Sequence, residues 1–410
     1  MKAKTNTFSS KVVFVSIIMI LLIFQNNLVQ ISDYFSYIDE ISTVLCIIYL
    51  LFYSIQNRLK KDEIAILIDI IILIFLGVMS NFIYGIQTHF FPIFIDAFCN
   101  FKLYIVFVVS LHLFKRKEIM SIFNFLYYII AIIILLALVF YFFSWFYDLQ
   151  MINEKRYGLI SFKFIFENAG TFGYYLIGFL GIILMTKKKS KNILTIICLF
   201  LIMATTKGPQ IIFTVVFLIL LYIFKHRIQI KIIHVIFISL VIVALGYYQI
   251  STYLFNNSSP RYHLIKYCIV TANNYFPIGS GFATYGSSMS VIYYSPLYYL
   301  YGFDNIWGLN ISYPYFLQDN YWPMVIAQFG WIGFLVFLNI FHHLFKILRK
   351  GFKDFLSRTY IITCFIAFLI GSLGSAYFTS GVGVFVFSII GLIISFNQKP
   401  NIRQDFYHEN

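Results

Sequence analysis

Charge is scarce in this chain. Only 11% of its 410 residues are Asp, Glu, Lys or Arg, against 60% hydrophobic and 21% aromatic residues. A soluble domain cannot hide that much apolar surface, so a soluble globular protein is excluded. Cysteine is scarce as well. Of the five, Cys46, Cys99, Cys198 and Cys364 lie in or beside apolar runs, and Cys268 lies in a long polar loop. No pair has metal-type spacing and the number is odd, which argues against a disulfide framework and a zinc site. The chain has no outward Asp-x-Asp pair and no histidine cluster, so no metal and no other cofactor is expected. No internal repeat is visible, which counts against the two pseudo-repeated halves of many transporters. The apolar run after Lys11 lacks a small-residue cleavage site and reads as a retained first span, not a signal peptide.

What is present is a series of apolar runs, each long enough to cross a bilayer. Twelve candidate spans can be laid down, at roughly 12–31, 38–56, 64–84, 92–113, 122–147, 158–185, 193–206, 209–224, 232–250, 322–345, 360–376 and 380–396. The net charge of +14 might suggest a nucleic-acid partner. Its distribution argues otherwise, because the basic residues sit in short clusters between apolar runs, where they carry topology information. With every second connection placed in the cytoplasm, 23 of the 30 basic residues fall inside the cell. These are Lys2, Lys4 and Lys11; Arg58, Lys60 and Lys61; Lys115, Arg116 and Lys117; Lys187, Lys188, Lys189 and Lys191; Lys225, Arg227 and Lys231; Lys346, Arg349, Lys350, Lys353 and Arg358; Lys399 and Arg403. The expected fold is therefore an all-α polytopic membrane protein: a single integral membrane domain, 1–410, of about twelve transmembrane helices with both termini cytoplasmic. One large external loop, 251–321, joins spans nine and ten and carries 13 of the 32 tyrosines.

Seven basic residues break the pattern: Lys102, Lys155, Arg156, Lys163, Lys207, Arg261 and Lys266. A charge inside a span costs about 2.5–3.5 kcal/mol on insertion scales, so a partner, a wet cavity or a function must offset it. For Lys102, Asp69 on the preceding span is a candidate partner, and Asp96 and Asn100 share one helix face. Lys163 and Glu167 stand at i and i+4 on one predicted helix and can pair. Arg156, in Arg156-Tyr157-Gly158, has only Glu154 as a local acid. It reads either as an interface anchor or as an anion-binding group. Lys207 sits in Thr205-Thr206-Lys207-Gly208-Pro209 at an outer hairpin tip, where Pro209 opens a helix. A helix N-terminus with a lysine beside it suits an anion; a snorkelling lysine is the plainer reading.

The loop opens with Ser258-Ser259-Pro260, a helix-start signature. Residues Arg261 to Asn273 then read as an amphipathic helix on the membrane surface. Asn274-Tyr275-Phe276-Pro277-Ile278-Gly279-Ser280-Gly281 reads as a tight turn with free backbone N–H groups. The loop closes on Gln318-Asp319-Asn320-Tyr321-Trp322, where Asp319 can cap the next helix, serve as a base, or do both.

Taken in order, Arg156-Tyr157-Gly158, the Thr-Thr-Lys-Gly hairpin, Arg261, Tyr-Phe-Pro-Ile-Gly-Ser-Gly-Phe and Asp-Asn-Tyr-Trp…Gln-Phe-Gly-Trp-Ile-Gly resemble the O-antigen polymerase and O-antigen ligase superfamily. The likeness is greatest to its Wzy-type polysaccharide polymerases. It covers residues 156–345 by motif and the whole chain by span number and loop position. It implies a metal-independent glycosyltransferase of polysaccharide biosynthesis (capsule, O-antigen or exopolysaccharide) in a bacterial cell membrane, with its active site outside. Such an enzyme moves a growing glycan from undecaprenyl diphosphate to a sugar hydroxyl of a lipid-linked repeat unit. Its implied partners are that lipid-linked oligosaccharide, membrane lipid, a flippase and a chain-length regulator, with no nucleic acid. Family arginines are matched at Arg156 and Arg261, whereas Lys207 stands where an arginine is usual and loses the bidentate fork. Asp319-Asn320 fits the polymerases better than the His-Asn pair of ligases.

Residue by residue, the resemblance implies diphosphate contacts from Arg156, Lys207 and Arg261, with Asp319 as general base and His263, the loop's one histidine, in reserve. Lys266, Tyr267, Gly279, Gly281 and Asn320 complete the implied substrate-binding set. The tyrosines and Trp307 suit sugar faces, or equally membrane anchoring. The alternatives are a glycan ligase and a lipid-linked oligosaccharide flippase.

Overall fold

The computed structural model describes residues 9–156, 158–229 and 231–399. Lys2, Lys4, Tyr157 and Arg403 of the sequence reading lie outside the described residues. The protein is mostly helical, at 74%, with almost no sheet, the architecture of an all-α membrane protein. The elements are α1 (Ser10–Val29), α2 (Ile38–Gln56), α3 (Lys61–Tyr84), α4 (Phe90–His112), α5 (Arg116–Phe143), a hairpin of β1 (Ile152–Arg156) and β2 (Leu159–Phe162), α6 (Ala169–Met185), α7 (Lys191–Ala204), α8 (Gly208–Lys225), α9 (Ile232–Phe255), α10 (Pro260–Asn274), the short α11 (Ser288–Ile292) and α12 (Pro296–Leu300), α13 (Tyr321–Arg349), α14 (Phe355–Gly371) and α15 (Gly381–Gln398). Among the described residues, eight helices are long and apolar enough to cross a membrane, and four shorter apolar helices lie in α6, α7, α9 and α14.

Helices α6 and α15 are buried along almost their whole length and form the centre. Peripheral α2 leaves Leu51, Phe52 and Ile55 more than 60% exposed, an apolar face suited to lipid. The basic clusters meet at one end of the bundle. Lys11 donates to the Leu113 carbonyl, Lys60 to Gln398 at 2.5 Å, Arg116 to the Lys399 carbonyl at 2.8 Å and Lys350 to Asp62 at 2.7 Å. Arg358 lies over Phe224 at the end of α8. The opposite end holds the β-hairpin, Lys207, α10 and the start of α13.

Two expected pairings and one expected span come out differently. Lys102 takes Asp39 and Glu40, at the start of α2, and the Glu40 distance is 2.8 Å. Gln25 of α1 donates to Asp39 at 2.6 Å. Asp69, the expected partner, instead accepts from Asn339 at 2.9 Å, because α3 packs on α13 while α2 packs on α4. Lys163 and Glu167 share no helix: they follow β2 in an irregular segment, and Glu167 accepts from Asn26 at 3.0 Å. The predicted span 158–185 opens instead on β2 and an irregular segment, and its helix begins only after Asn168, whose side chain caps Thr171 N–H at 2.9 Å.

Residues 275–320 fold into a cap with its own apolar core of Tyr285, Tyr298, Leu297, Phe303, Leu309 and Leu317 packed on Leu264 and Cys268 of α10. The cap is fastened to a break in α13. At Gly330 φ is +62°, so the helix ladder is interrupted there. The carbonyls of Ala327 and Gln328 accept instead from Ser280 and Gly281 N–H, each at 2.9 Å, and Ile332 N–H donates to the Pro277 carbonyl at 3.3 Å. The two strands approach so closely that a Cβ on Gly330 would stand 2.4 Å from Gly279 N. Only glycine fits both the space and the positive φ. Irregular backbone at such depth is tolerated where protein supplies the missing bonds.

Candidate functional site

Arg261 occupies the first turn of α10, directly after Pro260, whose fixed φ suits a first helical position. Its guanidinium is sandwiched between the rings of Tyr253 and Phe316, at 4.7 and 5.1 Å. That arrangement holds a charged plane without neutralising it. Nη2 donates to Asp319 Oδ2, while buried Nε has no partner among the described residues.

Asp319 is not a helix cap. The capping position of α13 is Asn320, and the Asp319 side chain turns to Arg261 instead. Burial pushes its carboxyl up to about 6, with Arg261 and then Lys207 opposing. Asn320 is buried, and its amide is best satisfied with the nitrogen toward the carbonyls of Asp319 and Leu373, at 3.1 and 2.9 Å.

The second half of the site comes from the β-hairpin and the α7–α8 turn. Ser161 of β2 donates to the Thr205 carbonyl at 2.7 Å, which holds the two together. Glu154 Oε1 then receives both Arg156 Nε at 2.9 Å and Lys207 Nζ at 2.7 Å. Burial alone would raise the Glu154 carboxyl, but the two cations outweigh it and hold it below its ordinary value. Burial lowers Lys207, with Arg156 and Arg261 adding repulsion and Glu154 opposing. Lys207 therefore feels both halves, and its own charge reaches Asp319. Three cations and two carboxylates, drawn from positions 154 to 319, converge at the end of the bundle opposite the basic clusters.

Tyr377, in the short 3-10 turn Tyr377–Thr379, lies within electrostatic reach of Asp319, Glu167 and Arg261. Burial raises its phenol well above the ordinary value. A Cβ on Gly170 would stand 2.4 Å from its hydroxyl oxygen, so Gly170 leaves the room that the phenol fills. Gln210 is buried beside it, donates to the Gly170 carbonyl at 3.0 Å and keeps Oε1 unpartnered among the described residues. Nothing in one sequence marks Tyr377 among so many tyrosines. Gln210 carried a weak signal, as a polar residue in the first turn of an apolar helix.

The other sequence candidates fall outside this cluster. His263 donates from Nε2 to the Asn257 carbonyl at 2.9 Å and stacks on Tyr267. Lys266 is exposed and lies over Tyr267 at 5.5 Å. The turn at Gly279 and Gly281 does not present free N–H groups. Gly279 donates to Tyr275, Ser280 and Gly281 to α13, Phe282 to Asn81 and Ala283 to Asp96. This turn is a tether, not a phosphate cradle. Buried Tyr285, Tyr298 and Tyr321 are likewise core, while Trp307, Tyr313 and Tyr315 stay exposed.

Compared with known proteins, the chain matches no family model and no curated sequence. The functional reading therefore rests on the geometry of this cluster.

Proposed function

We propose that the protein is a polymerase of bacterial surface polysaccharide that works on polyprenyl-diphosphate-linked oligosaccharides at the outer leaflet. The observation that carries this reading is the pairing of Arg261 with Asp319 beside Lys207, which links that pair to Glu154 and Arg156. The cluster lies at the end remote from the basic clusters, which the positive-inside rule makes the outer face. There a lipid diphosphate headgroup meets fixed cations, one of them in an aromatic sandwich.

In this mechanism the acceptor sugar hydroxyl attacks the anomeric carbon of the donor. The bond from that carbon to the diphosphate oxygen breaks, and its electron pair leaves with the diphosphate. Arg261, Lys207 and Arg156 stabilise the charge that develops there more than the charge of the ground state. Asp319 takes the hydroxyl proton. A carboxyl near 6 is mostly ionised at neutral pH and is a stronger base than an ordinary aspartate. Exposed Trp307, Tyr313 and Tyr315 offer faces for sugar rings.

The test replaces Arg261 with alanine in cells that lack the native copy, at matched membrane levels. Loss of the high-molecular-weight glycan ladder, with single lipid-linked repeats present on the outer side, is expected. An unchanged ladder sinks Arg261 as a catalytic residue. Repeats stranded on the cytoplasmic side indicate a flippase. A polymer that is complete but untransferred to its final acceptor indicates a ligase.

A further inference from the structure

A second concentration of cations lies at the other end of the molecule, far from the proposed active site. Two adjoining hollows of about 340 and 430 Å³ open between the start of α5, the α6–α7 turn, the start of α14 and the end of α15. They share Met120 and Lys187, so they form one groove. Arg116, Lys117, Lys187, Lys188 and Lys191 line it, against Asp354 as the one acidic lining residue. Among the described residues, none of the five cations has a carboxylate within ion-pair distance.

The nearby acids are committed elsewhere. Asp354 accepts from Ser357 N–H at 2.8 Å as the cap of α14. Glu118 accepts from Lys115 N–H at 2.7 Å as part of the α5 capping box. Lys350, at the same end of the bundle, does have its acid in Asp62. The deficit of negative charge is thus local to the groove. Three of the cations are also held in place: Arg116 by the Lys399 carbonyl and the Phe396 ring, Lys188 by the Tyr128 hydroxyl at 2.7 Å, and Lys191 by the Leu184 carbonyl.

We propose that this groove binds the phosphate headgroup of an anionic membrane lipid. The groove walls favour a lipid over a soluble phosphate. Met120, Leu184, Met185 and Phe396 give it apolar sides. Exposed Tyr128 and Ile132 of α5 and Ile193 and Ile196 of α7 continue from it along the bundle as a track for acyl chains. Basic pockets between helices at a cytoplasmic face select such headgroups by the same combination.

The test uses the full chain in detergent, with retained lipid read by native mass spectrometry and thermal stability read by melting. The probes are phosphatidylglycerol, phosphatidylcholine and inorganic phosphate. Phosphatidylglycerol is expected to be retained and to raise the Tm, and the other two are not. Lys117→Gln with Lys187→Gln should weaken phosphatidylglycerol binding about tenfold or more, whereas Lys346→Gln with Arg349→Gln, at the same end but outside the groove, should not. Met120→Trp fills the groove without touching charge and should weaken binding too, which keeps the test open if the double lysine variant folds poorly. Equal weakening by the control pair would show a diffuse positive surface and overturn the proposal. So would an equal Tm rise with inorganic phosphate, which would indicate a soluble ligand, or a failure to retain phosphatidylglycerol.

Discussion

The charge clusters around Lys102 and around Arg261 differ in what they leave open. Around Lys102, one cation faces Asp39 and Glu40, Gln25 fills a further position, and Lys102 and Asp39 are each only 4% exposed. Around Arg261, cations outnumber carboxylates three to two, and the side chains stay 22–36% exposed. The first cluster buries its one cation and Asp39, carries its excess as negative charge with only Glu40 reaching 22% exposure, and holds α2 to α4. The second has positive charge to spare at an accessible surface, the condition for receiving an anion. Charge within apolar surroundings is thus not enough to mark a site; the imbalance and the access are.

The comparison is broken most severely at Lys102. Lys102→Met leaves buried Asp39 and part-buried Glu40 without their cation and should cost about 3–5 kcal/mol of stability, seen as loss of folded protein or of Tm in detergent. Adding Asp39→Asn and Glu40→Gln to it should recover most of that loss. Arg261→Ala should instead leave the fold in place and lower polymer formation by about 10²–10³-fold in a membrane assay, the range found when a fixed transition-state donor is removed. If both variants merely unfold, the distinction between the two clusters fails.

The pH dependence of the second cluster sharpens it further. The base must be deprotonated, so activity should fall as the pH drops through about 6, the value to which burial raises Asp319. Arg261→Gln removes a charge that opposes that rise, so its residual activity should lose its acid limb at higher pH than wild type. An acid limb that stays in place argues against Asp319 as the base. Gly330→Ala, which would drive a Cβ against the Gly279 backbone, should destabilise the cap by at least about 1–3 kcal/mol. The earliest sign should be protease cleavage between α10 and α13. The smallest effect belongs to Lys207→Arg. It keeps the charge and should change activity less than about tenfold, whereas Lys207→Gln should cost more than the arginine does.

Helices were legible because apolar runs carry their own length: α2 falls at 38–56 and α8 within one residue of 209–224 at each end. The sixth was misread because Leu159 to Phe166 are nearly as apolar as the helix that follows. Hydropathy does not separate a buried hairpin from a span. The correcting signals were local ones, Gly158 at the turn and Asn168 at the cap. The loop helix was legible from Ser259-Pro260, and its match at α10 is close. Arg261, Asp319, Arg156 and Lys207 were each legible as exceptions to charge sidedness or as helix-boundary polar residues. Their convergence was not, since it depends on a cap and a hairpin meeting across more than a hundred residues of chain. The turn at Gly279 was misjudged for a related reason: glycines that let backbone approach an anion look the same in sequence as glycines that let backbone approach backbone.

The break at Gly330 has a consequence for how this protein can vary. The cap is pinned at its start, where Ser280 and Gly281 complete the α13 ladder, and at its end, where Asp319 meets Arg261. Between those pins the cap is tied down again, by Phe282 to Asn81, Tyr285 to the Leu264 carbonyl and Tyr301 to Thr271, so the surface left without such ties is the exposed stretch that holds Trp307, Ile311, Tyr313 and Tyr315. Substitutions or insertions confined to that stretch can therefore reshape the outer surface while the charged cluster beneath it stays registered. The molecule is built as a fixed socket with an interchangeable face.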